Sequence, residues 1–243
     1  MEISSAFLLD HTPGLFSAFH IVLSMLTLTA AYMLSAIRLN DPLKALETSA
    51  RIALCTEAVK QVFLFSVHHA FQWWYFPFQL CSMPMYLLCC VTHLSAEHRE
   101  TVCTFCASCS LIAALCALLY PENMLQEQVF LMAHSFLYHG WMLWCSFLII
   151  RNRLYGKRFL PACRLLIILA VIAEIINTIG FYSHTGYGVP DMFYISPFVP
   201  AAQPVFKAIA DSFGRITEIF VYLSVFSLVS FLCLNIIRRI RDQ

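Results

Sequence analysis

Long apolar runs separated by short polar punctuation dominate the chain. A helix needs about 20 apolar residues to cross the hydrocarbon core of a bilayer. Seven segments meet that need, at 14–37, 47–70, 77–94, 102–120, 126–150, 159–182 and 215–237. Asn40-Asp41-Pro42 ends the first, Pro77 opens the third, Pro121 follows the fourth and Pro161 falls in the opening turn of the sixth. A proline is tolerated at such positions because it lacks only an N–H that has no helical partner there. The pattern predicts an all-α fold, a single polytopic domain over 1–243 with seven transmembrane helices and no internal repeat. The 183–214 segment is irregular, with prolines at 190, 197, 200 and 204 and three of the seven glycines. It reads either as an outer lid dipping where protein shields its backbone or as an interfacial linker.

Composition agrees. Of 243 residues, 60% are hydrophobic and 12% charged, against about 25% charged in a soluble domain. This excludes a soluble enzyme, a disordered chain and a secreted disulfide scaffold, and a net charge of +1 gives no sign of nucleic-acid binding. The placement of basic residues says more. Arg38, Lys44, Arg99, Arg151, Arg153, Lys157, Arg158, Arg238, Arg239 and Arg241 fall in one set of connections, Lys207 and Arg215 in the other. By the positive-inside rule the N-terminus lies outside and the C-terminus in the cytoplasm of a multi-pass cell-membrane protein. The run from Phe71 to Phe76 then forms an outer aromatic belt. The eleven cysteines lie almost wholly in apolar stretches, which suits packing between helices better than disulfides in loops.

Ionisable groups in a membrane helix cost about 2.5–3.5 kcal/mol each at its centre, so their number here needs an explanation. The second span carries Glu57, Lys60 and Gln61. Glu57 and Lys60 are spaced to form an ion pair. The fifth carries His134, Ser135, Tyr138 and His139, the first His20, the sixth Glu174 and Asn177, the seventh Glu218. By helical rise most fall in the outer half, with Glu57 and His139 near the middle. The set predicts a cavity opening at the outer surface, with a register-fixing polar network as the alternative. Cys81, between Pro77 and Pro84, would lie about one turn inside a helix, where the dipole favours a thiolate. It reads equally as a packing cysteine in a kinked helix. Cys103, Cys106 and Cys109 lack a fourth ligand in a zinc pattern, and no metal site, phosphate loop, dinucleotide fingerprint or serine elbow is found; no cofactor is expected.

The runs Glu57-Ala58-Val59-Lys60 and Phe76-Pro77-Phe78-Gln79-Leu80-Cys81-Ser82, then Leu119-Tyr120-Pro121, His134 and Tyr138-His139-Gly140, resemble the YwaF-type bacterial integral membrane proteins. Phe76, Phe78 and Gln79 replace the two Leu and the His of that family's LPLHLC-type motif. The resemblance covers almost the whole chain. That family is similar to a eukaryotic transmembrane acyltransferase that builds polyunsaturated ether phospholipids with a cysteine and a histidine. The resemblance implies Cys81 as nucleophile and His139 as its base. His134 matches Cys81 better in depth and stands in reserve.

The resulting expectation is a thiol-dependent acyltransferase or acyl hydrolase acting on a membrane phospholipid or other acyl lipid. Gln79 or the backbone N–H groups beside Pro84 would stabilise the oxyanion. Glu57 and Lys60 would orient the histidine or bind a headgroup phosphate, and with them His20, Glu174 and Asn177 would line the substrate cavity. The competing expectation is a transporter or lipid-binding protein that uses Glu57, Lys60 and Glu174.

Overall fold

The computed structural model describes residues 8–121, 124–201 and 203–242. Among them the regular structure is helical, relieved only by two isolated β-bridges. Helix α1 (Ala18–Ser35) begins where Ser17 Oγ accepts the His20 N–H at 3.3 Å. Helix α2 (Pro42–His68) starts earlier than its apolar run suggests. Asp41 caps it by accepting the Lys44 N–H at 3.0 Å, and Pro42 takes the first turn. Asn40-Asp41-Pro42 therefore opens the second helix as much as it closes the first.

The expected continuous helix at 77–94 is not formed. Pro77 precedes a 3-10 turn at Leu80–Ser82, a six-residue helix α3 (Met83–Leu88) follows, and a second 3-10 turn covers Val91–His93. Pro84 sits in the first turn of α3, where its missing donor does no harm; inside a longer helix it would have broken one. Leu80, Met83, Met85, Leu88 and Val91 are all buried. The broken backbone is thus wrapped in protein, as irregular chain at membrane depth must be.

Ser95 caps α4 (Ala96–Phe105), which runs through a π turn at Cys106–Ser110 into α5 (Leu111–Leu119), one rod of 24 residues. Helix α6 (Val129–Arg151) sits at the centre, against α1, α2, α5 and the π turn. Helix α7 (Leu160–Ser183), the short α8 (Pro204–Phe213) and the long α9 (Arg215–Asp242) complete the bundle. Phe105, Cys106, Cys109, Met142, Leu143 and Cys145 form a fully buried core where the π turn meets α6. All eleven cysteines are free thiols.

Side-chain bridges define the two ends of the bundle. At one, Arg151 reaches Ser35, Arg153 and Arg241 reach each other's helix ends, and Arg238 donates to Gly156 O at 2.9 Å. At the other, His20 meets Leu118 O, and Trp73 meets the main chain of Thr185 and Tyr187. The 77–94 segment descends between them, since Tyr75 O bonds Gln61 near one end while Thr92 bonds Glu47 near the other.

Four helices have the length and apolarity to cross a membrane: α1, the α4–α5 rod, α7 and α9. Helices α2 and α6 are comparably long but fall outside that set of four. In α2 the polarity points inward. Glu47, Ala50, Ala53, Glu57 and Leu64 are buried, while Ile52, Val59, Val62 and Phe65 are all more than half exposed. Carboxylates inside and apolar residues outside invert the pattern of a water-soluble surface helix, although Arg51 of the same helix is exposed.

Candidate functional site

Helices α2, α5, α6 and α9 and the Gln79–Ser82 turn enclose a cavity of about 480 Å³. One wall is polar: Glu57 and Lys60 from α2, and His134, Ser135, Tyr138 and His139 from α6. The opposite wall is apolar, built from Ile112 and Cys116 of α5 and Tyr222, Val225, Phe226 and Val229 of α9. Cys116, Val225 and Val229 in this wall are themselves exposed, so the apolar side of the cavity is open rather than sealed by protein.

The polar wall is an ordered network. Glu57 Oε1 accepts from Lys60 Nζ at 2.8 Å and from Gln61 Nε2 at 2.8 Å. Gln61 also donates to Tyr75 O at 2.7 Å, tying α2 to the aromatic connection. His134 Nε2 lies 3.8 Å from Glu57 Oε2, too long for a hydrogen bond, and has no hydrogen-bond partner among the described residues. His139 Nδ1 is 2.8 Å from Ser135 O. A carbonyl only accepts, so Nδ1 carries a proton, and in the neutral tautomer Nε2 is the nitrogen that bears the lone pair.

Cys81 lines the same cavity. It stands in the 3-10 turn before α3, not inside a helix that starts at Pro77. The expected helix-dipole activation is thereby removed, since α3 begins at Met83 and has only six residues. What anchors Cys81 is Tyr138, whose hydroxyl donates to the Cys81 carbonyl at 3.2 Å. The Tyr138 ring stacks on His134 with centroids 6.0 Å apart and meets His139 edge-on at 6.1 Å. Tyr138 thus links the cysteine's backbone to both histidines, a role its sequence position alone did not assign.

Of the nine expected site residues, Cys81, His134, His139, Glu57, Lys60 and Gln79 share this cavity wall. His20, Glu174 and Asn177 do not. Both ring nitrogens of His20 are spent: Nδ1 accepts the Phe16 N–H at 3.0 Å and Nε2 donates to Leu118 O at 3.0 Å. Asn177 instead grips Met192, accepting its N–H at 2.6 Å and donating to its carbonyl at 3.2 Å. Glu174 accepts from Asn177 at 3.3 Å and Thr178 at 3.3 Å, steadying that grip. Gln79 does the same from the other side, accepting the Phe193 N–H at 2.9 Å and donating to Asp191 O at 3.0 Å. Its amide is committed to that turn rather than aimed at an oxyanion.

The gripped 3-10 turn, Met192–Tyr194, holds Phe193 and Tyr194 at φ 62° and 60°. Such left-handed backbone costs roughly 1–3 kcal/mol per residue and persists only where surroundings fix it. Arg215 supplies further bonds, to Tyr194 O at 2.9 Å and Ser196 O at 3.0 Å, and pairs with Glu218. Asp191 accepts the Ser196 N–H at 2.9 Å, and burial pushes its carboxyl up to about 6 despite Ser196 and the Arg215 guanidinium. The outcome is a buried Phe193, stacked on Phe78, and a Tyr194 side chain in the cavity wall.

An all-helical bundle with an apolar outer surface and ionisable groups turned inward defines a helical membrane protein. Residues 15–238 match the model of the TMEM164 family, and the chain belongs to that family of transmembrane proteins. No match is found among curated proteins or among solved structures.

Proposed function

We propose that this protein is a membrane-embedded, thiol-dependent lipid acyltransferase or acyl hydrolase, in keeping with the YwaF-type and acyltransferase resemblance. The observation that carries the reading is the shared cavity wall of Cys81 and His139, coupled through Tyr138 and facing an apolar side that is open rather than sealed by protein. Cys81 Sγ attacks the carbonyl carbon of an acyl ester as its proton passes to His139 Nε2. The ester C–O bond breaks, the leaving alkoxide takes the proton from the histidine, and an acyl thioester remains. An incoming hydroxyl, or water, then attacks the thioester, gives its proton to the same histidine and frees the thiol. His134 stands as the reserve base.

In this reading the broken 77–94 segment, α2 and α6 complete seven crossings of the cell membrane. The N-terminus lies outside, the C-terminus lies in the cytoplasm, and 183–214 forms an outer lid. The arginine-rich end of the bundle is cytoplasmic, as the positive-inside rule requires.

The test is acyl turnover of a radiolabelled phospholipid by the full chain in vesicles. Cys81→Ser should abolish it, and His139→Ala should lower it about 10²–10⁴-fold, the usual cost of losing a general base. A thioester trapped on Cys81 would support the mechanism. Undiminished turnover in both variants would end it, and a substrate-driven proton flux through Glu57 would put the transporter reading first.

A further inference from the structure

Lys60 faces two chambers. The larger is the 480 Å³ cavity; the smaller, about 140 Å³, adjoins it and is walled by Lys60, Trp74, Gln79, Ser82, Gln126 and Ser135, among others. The walls differ in kind. The large chamber is mainly apolar, whereas the wall of the small one holds the Lys60 ammonium, the hydroxyl-bearing Tyr75, Ser82, Ser135 and Tyr194, and Gln126, beside a Gln79 amide already bonded to the 191–193 turn. Lys60, Gln79, Ser82, Ser135 and Tyr194 belong to both. The boundary between the chambers therefore falls beside Cys81, the neighbour of Ser82.

Lys60 has donors to spare. Its ammonium carries three N–H groups, and Glu57 Oε1, at 2.8 Å, is its only ion-pair partner among the described residues. Glu57 does not depend on it alone, because Gln61 donates to the same oxygen. Lys60 can keep that bond while turning another donor into the small chamber. Charge-assisted bonds from a partly buried ammonium favour an anionic oxygen, with a phosphate as the compact group that fits.

We propose that the small chamber is a phosphate subsite and that Lys60 selects acyl lipids bearing a phosphodiester headgroup over neutral ones. This rests on the larger cavity being the acyl site. A phospholipid carries its ester carbonyls between phosphate and acyl chain. With phosphate at Lys60 and chain against α5 and α9, that middle portion lies at the chamber boundary, next to Cys81.

Binding tests this apart from catalysis. The full chain carrying Cys81→Ser is titrated in detergent with a short-chain phosphatidylcholine, the matching diacylglycerol and inorganic phosphate. Adding Lys60→Gln should weaken phosphatidylcholine at least tenfold and leave diacylglycerol unchanged, and Lys60→Arg should restore most of the loss. Where Lys60→Gln fails to fold, the double variant Glu57→Gln/Lys60→Gln, which removes both charges together, makes the same comparison. Equal phosphatidylcholine affinity with and without Lys60 overturns the subsite even if wild-type turnover persists. Lys60-dependent binding of inorganic phosphate without any of the lipid overturns the lipid assignment. Absent turnover with Lys60-dependent lipid binding intact leaves the subsite standing and removes the acyl-transfer reading instead.

Discussion

Tyr138 Oη donates to the carbonyl oxygen of Cys81 at 3.2 Å, so one residue of α6 fixes the backbone of a turn 57 positions away. One such bond contributes about 1 kcal/mol. Tyr138→Phe keeps the ring between the histidines and removes only that bond. Acyl turnover should fall about three- to tenfold while lipid affinity holds. A loss confined to affinity would show that Tyr138 touches lipid rather than placing the cysteine.

Asn177 satisfies both backbone groups of Met192. Asn177→Ala leaves two buried groups unpaired, at about 1–3 kcal/mol each. The expected outcome is a lower melting temperature in detergent and faster protease cleavage within 183–214. An unchanged melting temperature and digestion pattern would mean that Arg215 and Gln79 hold the turn unaided.

Asp191 titrates near 6 in the folded protein, above its ordinary value of 3.8, because it is buried. A raised carboxyl binds its proton more tightly when folded. Its contribution to stability is therefore full below about pH 4 and is lost as pH rises through about 6. Melting temperature should fall across that window in the wild type. In Asp191→Asn, which keeps an acceptor for Ser196 N–H, the fall should be shallower. Parallel curves for the two proteins would assign the pH dependence to other groups.

Gly180 of α7 lies under Trp73 and Pro190. A Cβ there would stand 2.7 Å from Trp73 Cζ2 and 2.9 Å from Pro190 Cγ. Gly180→Ala should destabilise the aromatic end of the bundle by about 1–3 kcal/mol, the usual cost of overpacking. Adding Trp73→Ala should recover part of it, because the two residues touch and their effects are coupled. Strict additivity in the denaturation midpoints would refute the contact.

The long helices were legible in the sequence because lipid-facing chain must be apolar over a fixed length. The break at 77–94 was not. Leu80, Met83, Met85 and Leu88 are buried in protein, and composition does not tell a protein interior from a lipid one. Pro84 is the signal, because a proline fits the first turn of a helix as readily as it kinks one. The same logic sorts the site. Glu57, Lys60, His134 and His139 sit on two helices and so converge wherever those helices face each other. Asn177, Glu174 and Gln79 looked the same in sequence, yet they serve the backbone of an irregular segment. The density of proline and glycine in 183–214 was the available hint that such a backbone would need partners.

The π turn at Cys106–Ser110 carries one residue more than a regular helical turn, and Ser146 of α6 donates to its Cys106 carbonyl at 2.8 Å. One extra residue shifts the angular phase of everything after it by about 100°. Ile112 and Cys116, which line the cavity, both follow that shift. Deleting a single residue between 106 and 110 would leave a straighter rod whose cavity-facing side chains point elsewhere. The shape of the chamber is therefore set by a count: a chain one residue shorter at this turn would present a different wall, whatever its remaining sequence.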